Sequence, residues 1–434
     1  MSGMPPNEAE VRSIVRSAEQ AGAAGRRDEA RRLLSQAQAL APDHPFVLNA
    51  AALEALRTGD AQAARGWLER AVARDGQNPT FWMNLAMALR ALNLAQEESH
   101  ALDRVLALEP RHLLALLQRA SLFERQGKRK AAATTYQKAL QTLPPGTRLP
   151  DALRPAIQRA VEAVRDNKAA LAAFLDERLV QIRTQHAEAS QERFDHCIES
   201  FLGKRKIFTP QPNFLHFPKI STWEYYPRAS FPWLPELESA TDAIRGEFER
   251  VFAEDADRLE PYVAYPAGVP LDQWAELNHS RRWSAFYLWR DGAPVPEHLA
   301  RCPKTAAALR RLPLADLPGY APTAFFSILD ARTQIPAHTG VTNTRLIVHL
   351  PLVIPGACRF RVGSETREWR GGEAWVFDDT IEHEAWNDSD VPRAILIFDI
   401  WHPELSAAER DLVRTAVPGI RDYYGDEAGR DASA

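Results

Sequence analysis

Alanine returns at a fixed interval of 34 residues through the first third of this chain, at Ala18, Ala52, Ala86 and Ala120. Three more columns keep that spacing. Gly25, Gly59 and Gly127 form one, with Asn93 in the remaining copy. Pro42, Pro110 and Pro144 form a second, with Gly76 in the other copy, and Leu34, Leu68, Leu102 and Tyr136 form a third. A repeat of this length constrains the fold strongly, because one copy cannot bury its own apolar face and successive copies must stack in line. Small alanines let paired helices approach. Glycine or asparagine accepts a left-handed turn, and proline starts the chain afresh after the second helix.

These columns make the tetratricopeptide pattern of paired helices, with four copies at 11–44, 45–78, 79–112 and 113–146. Residues 1–146 are therefore expected to form an α-solenoid. Its concave face is the expected seat of an extended peptide or protein partner. Trp82, Arg119 and Arg125 read as packing or solvated charge rather than as ligand contacts. Residues 147–200 carry apolar positions every three to four residues, which predicts one or two long helices acting as a cap and linker.

Acids and bases nearly balance, for a net charge of −4, so bulk electrostatics favour neither nucleic acid nor an anionic membrane as partner. The three cysteines (Cys197, Cys302 and Cys358) are scattered and lack CxxC spacing, which fits a reducing compartment. The chain shows neither a signal-like apolar core near residue 1 nor a long apolar run. A cytoplasmic location without a membrane anchor is the expectation.

Near residue 201 proline and aromatic content rises, marking the expected start of a β-rich domain over 201–408, with a helix at about 236–252 and a C-terminal tail at 409–434. Runs at 324–329, 345–353, 359–362, 367–369, 374–377 and 393–400 read as strands, with Gly363-Ser364 and Gly371-Gly372 as hairpin turns. Many short antiparallel strands favour a double-stranded β-helix (jelly roll) over a parallel sheet. His338 follows one strand, His383 sits in a loop before the last, and Arg393 lies ten positions further on. Imidazole suits Fe(II), Zn(II) or Cu(II), while guanidinium grips a carboxylate through two parallel hydrogen bonds. Together they point to a metal site that also holds a carboxylate co-substrate, as in a non-haem iron oxygenase using 2-oxoglutarate. The common third ligand would fall two positions after His338, where Gly340 has no side chain to offer. Asp378, Asp379, Glu382 and Glu384 are the carboxylates that a different reading would recruit.

Four phrases in order, at 338–355, 365–369, 377–386 and 399–405, resemble the aspartyl/asparaginyl β-hydroxylase family: HTGVTNTRLIVHLPLVIP, ETREW, FDDTIEHEAW and DIWHPEL. The likeness is clearest over 325–405, weakens back to about 201 and does not reach the repeats. It implies Fe(II)- and 2-oxoglutarate-dependent hydroxylation with O2. His338 and His383 become the implied metal ligands, with water in the place of a carboxylate. Arg393 is implied to hold the distal carboxylate of 2-oxoglutarate, with Ser327 and His349 as further co-substrate contacts. Animal members carry an arginine where this chain has Ile347, so Arg345 or His349 is expected to cover that task. Arg345 is alternatively the receiver of an acidic substrate side chain.

The substrate class expected first is an aspartyl or asparaginyl residue of a peptide presented by the repeats. A free amino acid or a lipid acyl chain comes next. A repeat scaffold without catalysis is the rival from another class, and intact His338, His383 and Arg393 count against it. A zinc hydrolase is disfavoured because no HExxH-type helix or evident general base is present.

Overall fold

The structure is a computed structural model that describes residues 8–144, 146–254 and 258–424. The chain divides into two compact units, 1–191 and 192–434. The first is all helix. Four antiparallel pairs follow one another: α1 (Glu8–Ala23) with α2 (Arg27–Leu40), α3 (Pro45–Thr58) with α4 (Ala61–Arg74), α5 (Pro79–Ala91) with α6 (Ala95–Leu108), and α7 (Leu113–Arg125) with α8 (Arg129–Leu140). The 34-residue columns do what their chemistry requires. Ala52, Ala86 and Ala120 are fully buried between helices. Gly25, Gly59, Gly127 and Asn93 all take positive φ (74°, 86°, 72° and 58°) at the turn inside each pair. A helical repeat, the expected architecture, therefore fills the first unit. Helix α9 (Arg154–Gln185) packs on α8 and closes the apolar edge around Tyr136 with Ile157 and Ala160.

The second unit opens with α10 (Glu192–Leu202), the second helix of a stretch where one or two were expected. The aromatic segment that follows is mostly irregular rather than β. Single bridges tie it to a connection between two later strands, Leu215 to Thr342, and to a later strand itself, Tyr225 to Phe377. The expected helix at 236–252 is two helices, α11 (Leu234–Ser239) and α12 (Thr241–Glu254), broken at Ala240. Two more, α13 (Pro296–Arg301) and α14 (Pro303–Leu309), follow the early strands.

Eleven strands build two antiparallel sheets among the described residues: β1 (Glu260–Pro261), β2 (Trp283–Arg290), β3 (Ala293–Pro294), β4 (Ala324–Leu329), β5 (Thr333–His338), β6 (Arg345–Val353), β7 (Cys358–Val362), β8 (Glu365–Glu368), β9 (Trp375–Phe377), β10 (His383–Asn387) and β11 (Arg393–Trp401). The larger sheet runs β1-β2-β4-β11-β6-β9, with β3 beside β2, and the smaller runs β5-β10-β7-β8. Gly363-Ser364 is the two-residue turn of the β7–β8 hairpin, with Val362 opposite Glu365. Gly371-Gly372 is not a hairpin turn. Strand β8 pairs only with β7, and β9 pairs with β6, so these glycines carry the chain from one sheet to the other.

Period-two alternation sorts the larger sheet. Even-numbered Phe286, Phe326, Ile328, Val348, Leu350, Leu396 and Phe398 face the helices α11 to α14 and form the main core. Odd-numbered Trp283, Leu329, Trp375, Phe377 and Ile395 face the smaller sheet, meeting Ile335, Phe360, Val362 and Ala385. At strand positions 327, 345, 349 and 393 the same parity places the polar candidates on that inner face. Helix α15 (Ala407–Tyr424), in the stretch expected as a tail, buries Val413 and Val417 against Trp401 and Leu405.

Candidate metal and co-substrate site

His338 ends β5 and His383 opens β10, and in that antiparallel ladder the two residues are direct partners. Residues 45 apart in sequence thus become cross-strand neighbours, their ring centroids 4.0 Å apart. The backbone sets their tautomers. His338 Nδ1–H donates to the Pro336 carbonyl (2.7 Å), and His383 Nδ1–H donates to the Ile381 carbonyl (3.0 Å). A carbonyl can only accept, so each ring keeps its proton on Nδ1 and carries its lone pair on Nε2, the tautomer that binds a metal through Nε2. Burial, then the neighbouring imidazole, pushes the His338 pKa down to about 3, and burial pushes His383 down to about 4. Both rings are neutral at physiological pH.

No group of three or more His, Cys, Asp or Glu side chains placed to hold a metal occurs among the described residues. Gly340 explains part of this. A Cβ at that position would collide with the Asp379 carboxylate, and Gly340 N–H donates to the Asp379 carbonyl (2.6 Å). Asp379 therefore occupies the room that a side chain at 340 would fill. Its Oδ2 lies 3.3 Å from Arg345, while its Oδ1 is buried without a partner. Asp378 bonds to Thr380, and Glu382 and Glu384 pair with Arg361.

Arg393 opens β11 and is 1 % exposed. It has no ion-pair partner among the described residues. Its contacts are two long ones from Nη1 to the carbonyl and hydroxyl of Ser327, both 3.4 Å, and its Nε has no acceptor. Burial pulls its pKa down to about 10, so it remains a cation. A buried guanidinium without an anion is costly, by several kcal/mol on the order expected for a desolvated ion. Ser327, at the neighbouring strand, accepts from the Trp283 indole N–H (3.1 Å). His349 lies among Phe360, Phe377 and Trp369, with its Nδ1 buried and unpartnered. Burial, then Arg393 and His383, keeps that ring neutral.

The structure thus brings His338, His383, His349, Ser327 and Arg393 to the space between the sheets. Arg345, on the same inner face, is engaged with Asp379 at 3.3 Å and Asp399 at 3.7 Å. Burial raises the Asp399 carboxyl to about 7. Ile347, the residue replacing an arginine, sits on the same inner face opposite Phe377 in the β6–β9 ladder. Sequence reasoning missed Trp274, whose ring meets His338 edge-on at 5.0 Å, and Trp283 beside Ser327. Trp283 opens β2, a continuous apolar and aromatic run buried on both faces; Trp274 ends a one-turn 3-10 helix over 272–274 with no local signal. Above His338 a cleft of about 450 Å³ is walled by Phe214, Tyr265, Trp274 and Val341 with Asn213 and Glu382.

Residues 238–403 match the model of the family described as aspartyl/asparaginyl beta-hydroxylase. The chain is 33% identical over 197 residues to an ornithine lipid ester-linked acyl 2-hydroxylase of Rhizobium tropici, covering 45% of this chain and 66% of that protein. It is 34% identical over 180 residues to an aspartyl/asparaginyl beta-hydroxylase of Homo sapiens, covering 41% of this chain and 23% of that protein. The chain thus spans less than two thirds of these relatives. A thermophilic TPR protein of Thermus thermophilus aligns with 41% of this chain and 97% of its own, at 22% identity and a TM-score of 0.31. Residues 238–403 of this chain are thus similar to the aspartyl/asparaginyl β-hydroxylase family.

Proposed function

We propose that this protein is an Fe(II)- and 2-oxoglutarate-dependent hydroxylase built on a double-stranded β-helix. The observation that carries the reading is Arg393, a buried cation with no ion-pair partner among the described residues, in the same inter-sheet space as two neutral imidazoles whose Nδ1–H groups are held by backbone carbonyls. Those donors suit Fe(II), and the guanidinium suits a carboxylate. His338 and His383 would hold the metal, and Arg393 with Ser327 would hold the distal carboxylate. The unpartnered Oδ1 of Asp379 would accept a hydrogen bond from a metal-bound water, in place of a ligating carboxylate at 340. Iron with 2-oxoglutarate and O2 supplies the oxidising power for hydroxylating a C–H bond. The chain itself fixes the ligand tautomers, anchors the co-substrate and keeps the reacting space dry with Phe360, Trp369 and Phe377.

The first substrate class is an aspartyl or asparaginyl residue of a peptide, presented in part by the repeats. A lipid acyl chain is the second reading, favoured by the likeness to an acyl 2-hydroxylase. Anaerobic titration of 2-oxoglutarate into the Fe(II)-loaded protein tests the core of the proposal without a substrate. A saturable visible charge-transfer band is expected, lost in His383→Ala and weakened in Arg393→Ala. Iron bound without any such band would overturn it, and the scaffold reading would take its place.

A further inference from the structure

Three buried polar atoms around the same spot lack a partner among the described residues: Arg393 Nε, His349 Nδ1 and the indole Nε1 of Trp369. Buried donors are almost always satisfied, so a cluster of orphans marks a place shaped for a polar ligand. Arg393 and His349 already belong to the proposed site. Trp369 does not, yet it is only 4 % exposed and its ring lies 4.8 Å from the Arg393 guanidinium carbon, with the His349 ring 6.1 Å away. Packing alone accounts for the ring, which stacks on Phe360 (5.4 Å) and Trp375 (5.8 Å). It does not account for an indole N–H left without an acceptor, because phenylalanine would stack equally well at no such cost.

We infer that Trp369 is a co-substrate-binding residue whose indole N–H donates a hydrogen bond to the carboxylate held by Arg393. The indole is a donor only and cannot serve a cation, so an anion satisfies it and the guanidinium together. The stacked ring also holds the guanidinium by cation–π attraction, limiting its freedom before the ligand arrives. The inference rests on the proposed co-substrate site.

The test is calorimetric titration of 2-oxoglutarate into the full chain loaded with Mn(II), a redox-inert stand-in for Fe(II), comparing wild type with Trp369→Phe. Loss of a hydrogen bond to a charged group predicts roughly tenfold weaker binding. Mn(II) affinity should be unchanged. Trp375→Phe makes the same change in the stacked neighbour and should leave 2-oxoglutarate affinity alone. Equal affinity in wild type and Trp369→Phe would overturn the inference, as would an equal loss in both variants. If wild type itself fails to bind 2-oxoglutarate, the proposed site falls first, and that outcome is distinct. Thermal melts of both variants identify any that fail to fold; if Trp369→Phe does, Trp369→Met, which has no side-chain donor, replaces it with the same expected loss, and if Trp375→Phe does, Trp375→Tyr replaces it as the control.

Discussion

Asp399 shows how one residue in this domain couples the site to stability. It is 2 % exposed, accepts from Thr323 N–H (2.9 Å) and lies 3.7 Å from Arg345. Burial holds its carboxyl pKa up at about 7, against 3.8 ordinarily. Between those values the folded protein keeps a proton that the unfolded chain releases, so this group's contribution to stability falls as pH rises through that window. Asp399→Asn cannot titrate, and its Tm should decline less steeply from pH 4 to pH 7 than that of wild type. Identical slopes in the two melting series would mean that Asp399 is ionised throughout. Gly340 makes the complementary point. Its lack of a side chain is a requirement of packing, because Asp379 stands where a Cβ would go. Sequence alone marks 340 only as a missing ligand.

At the scale of elements, the repeats and the strands differ in what local pattern reveals. In the solenoid each column is a local requirement, so register, turn glycines and buried alanines were all readable from the 34-residue period. One contact was not: Asn84 donates to Asn49 across α5 and α3 (2.7 Å), both buried. Asn84→Ala leaves the Asn49 oxygen without its donor and should cost about 1–3 kcal/mol, read as a lower Tm of the helical unit. Trp82, Arg119 and Arg125 are satisfied internally, by Gly76, Asp103 and Glu98. In the sheets, the strands with plain alternation were legible. Strands β1, β2, β3, β5 and β10 were not: β2 is buried on both faces and lacks alternation, β1 and β3 are two residues long, and β5 and β10 each carry a metal-ligand candidate at one end and read as a motif in a loop. The glycine pair at 371–372 signals a turn, but a turn signal does not say whether the next strand returns to its neighbour or crosses to the other sheet.

The whole molecule is two units, each with its own apolar core, and no helix among the described residues is long and apolar enough to cross a membrane. Calorimetry should resolve two unfolding transitions. Adding Mn(II) with 2-oxoglutarate should raise only the β-rich one, by about 2–3 kcal/mol at a hundredfold excess over Kd. A single transition, or an equal shift of both, would refute independent cores. By itself the sequence determined the helical repeat, the strand-rich second half, the family motifs and the identity of His338, His383, Ser327, His349 and Arg393 as candidates. Those are properties of residue type and short-range spacing. Only the tertiary structure decided that His338 and His383 face each other across one ladder, that Asp379 fills the space over Gly340, and that among the described residues Arg393 has no ion-pair partner and the Trp369 indole no acceptor. Each of these depends on which strands pair across long stretches of chain, and on what burial leaves unsatisfied once they have.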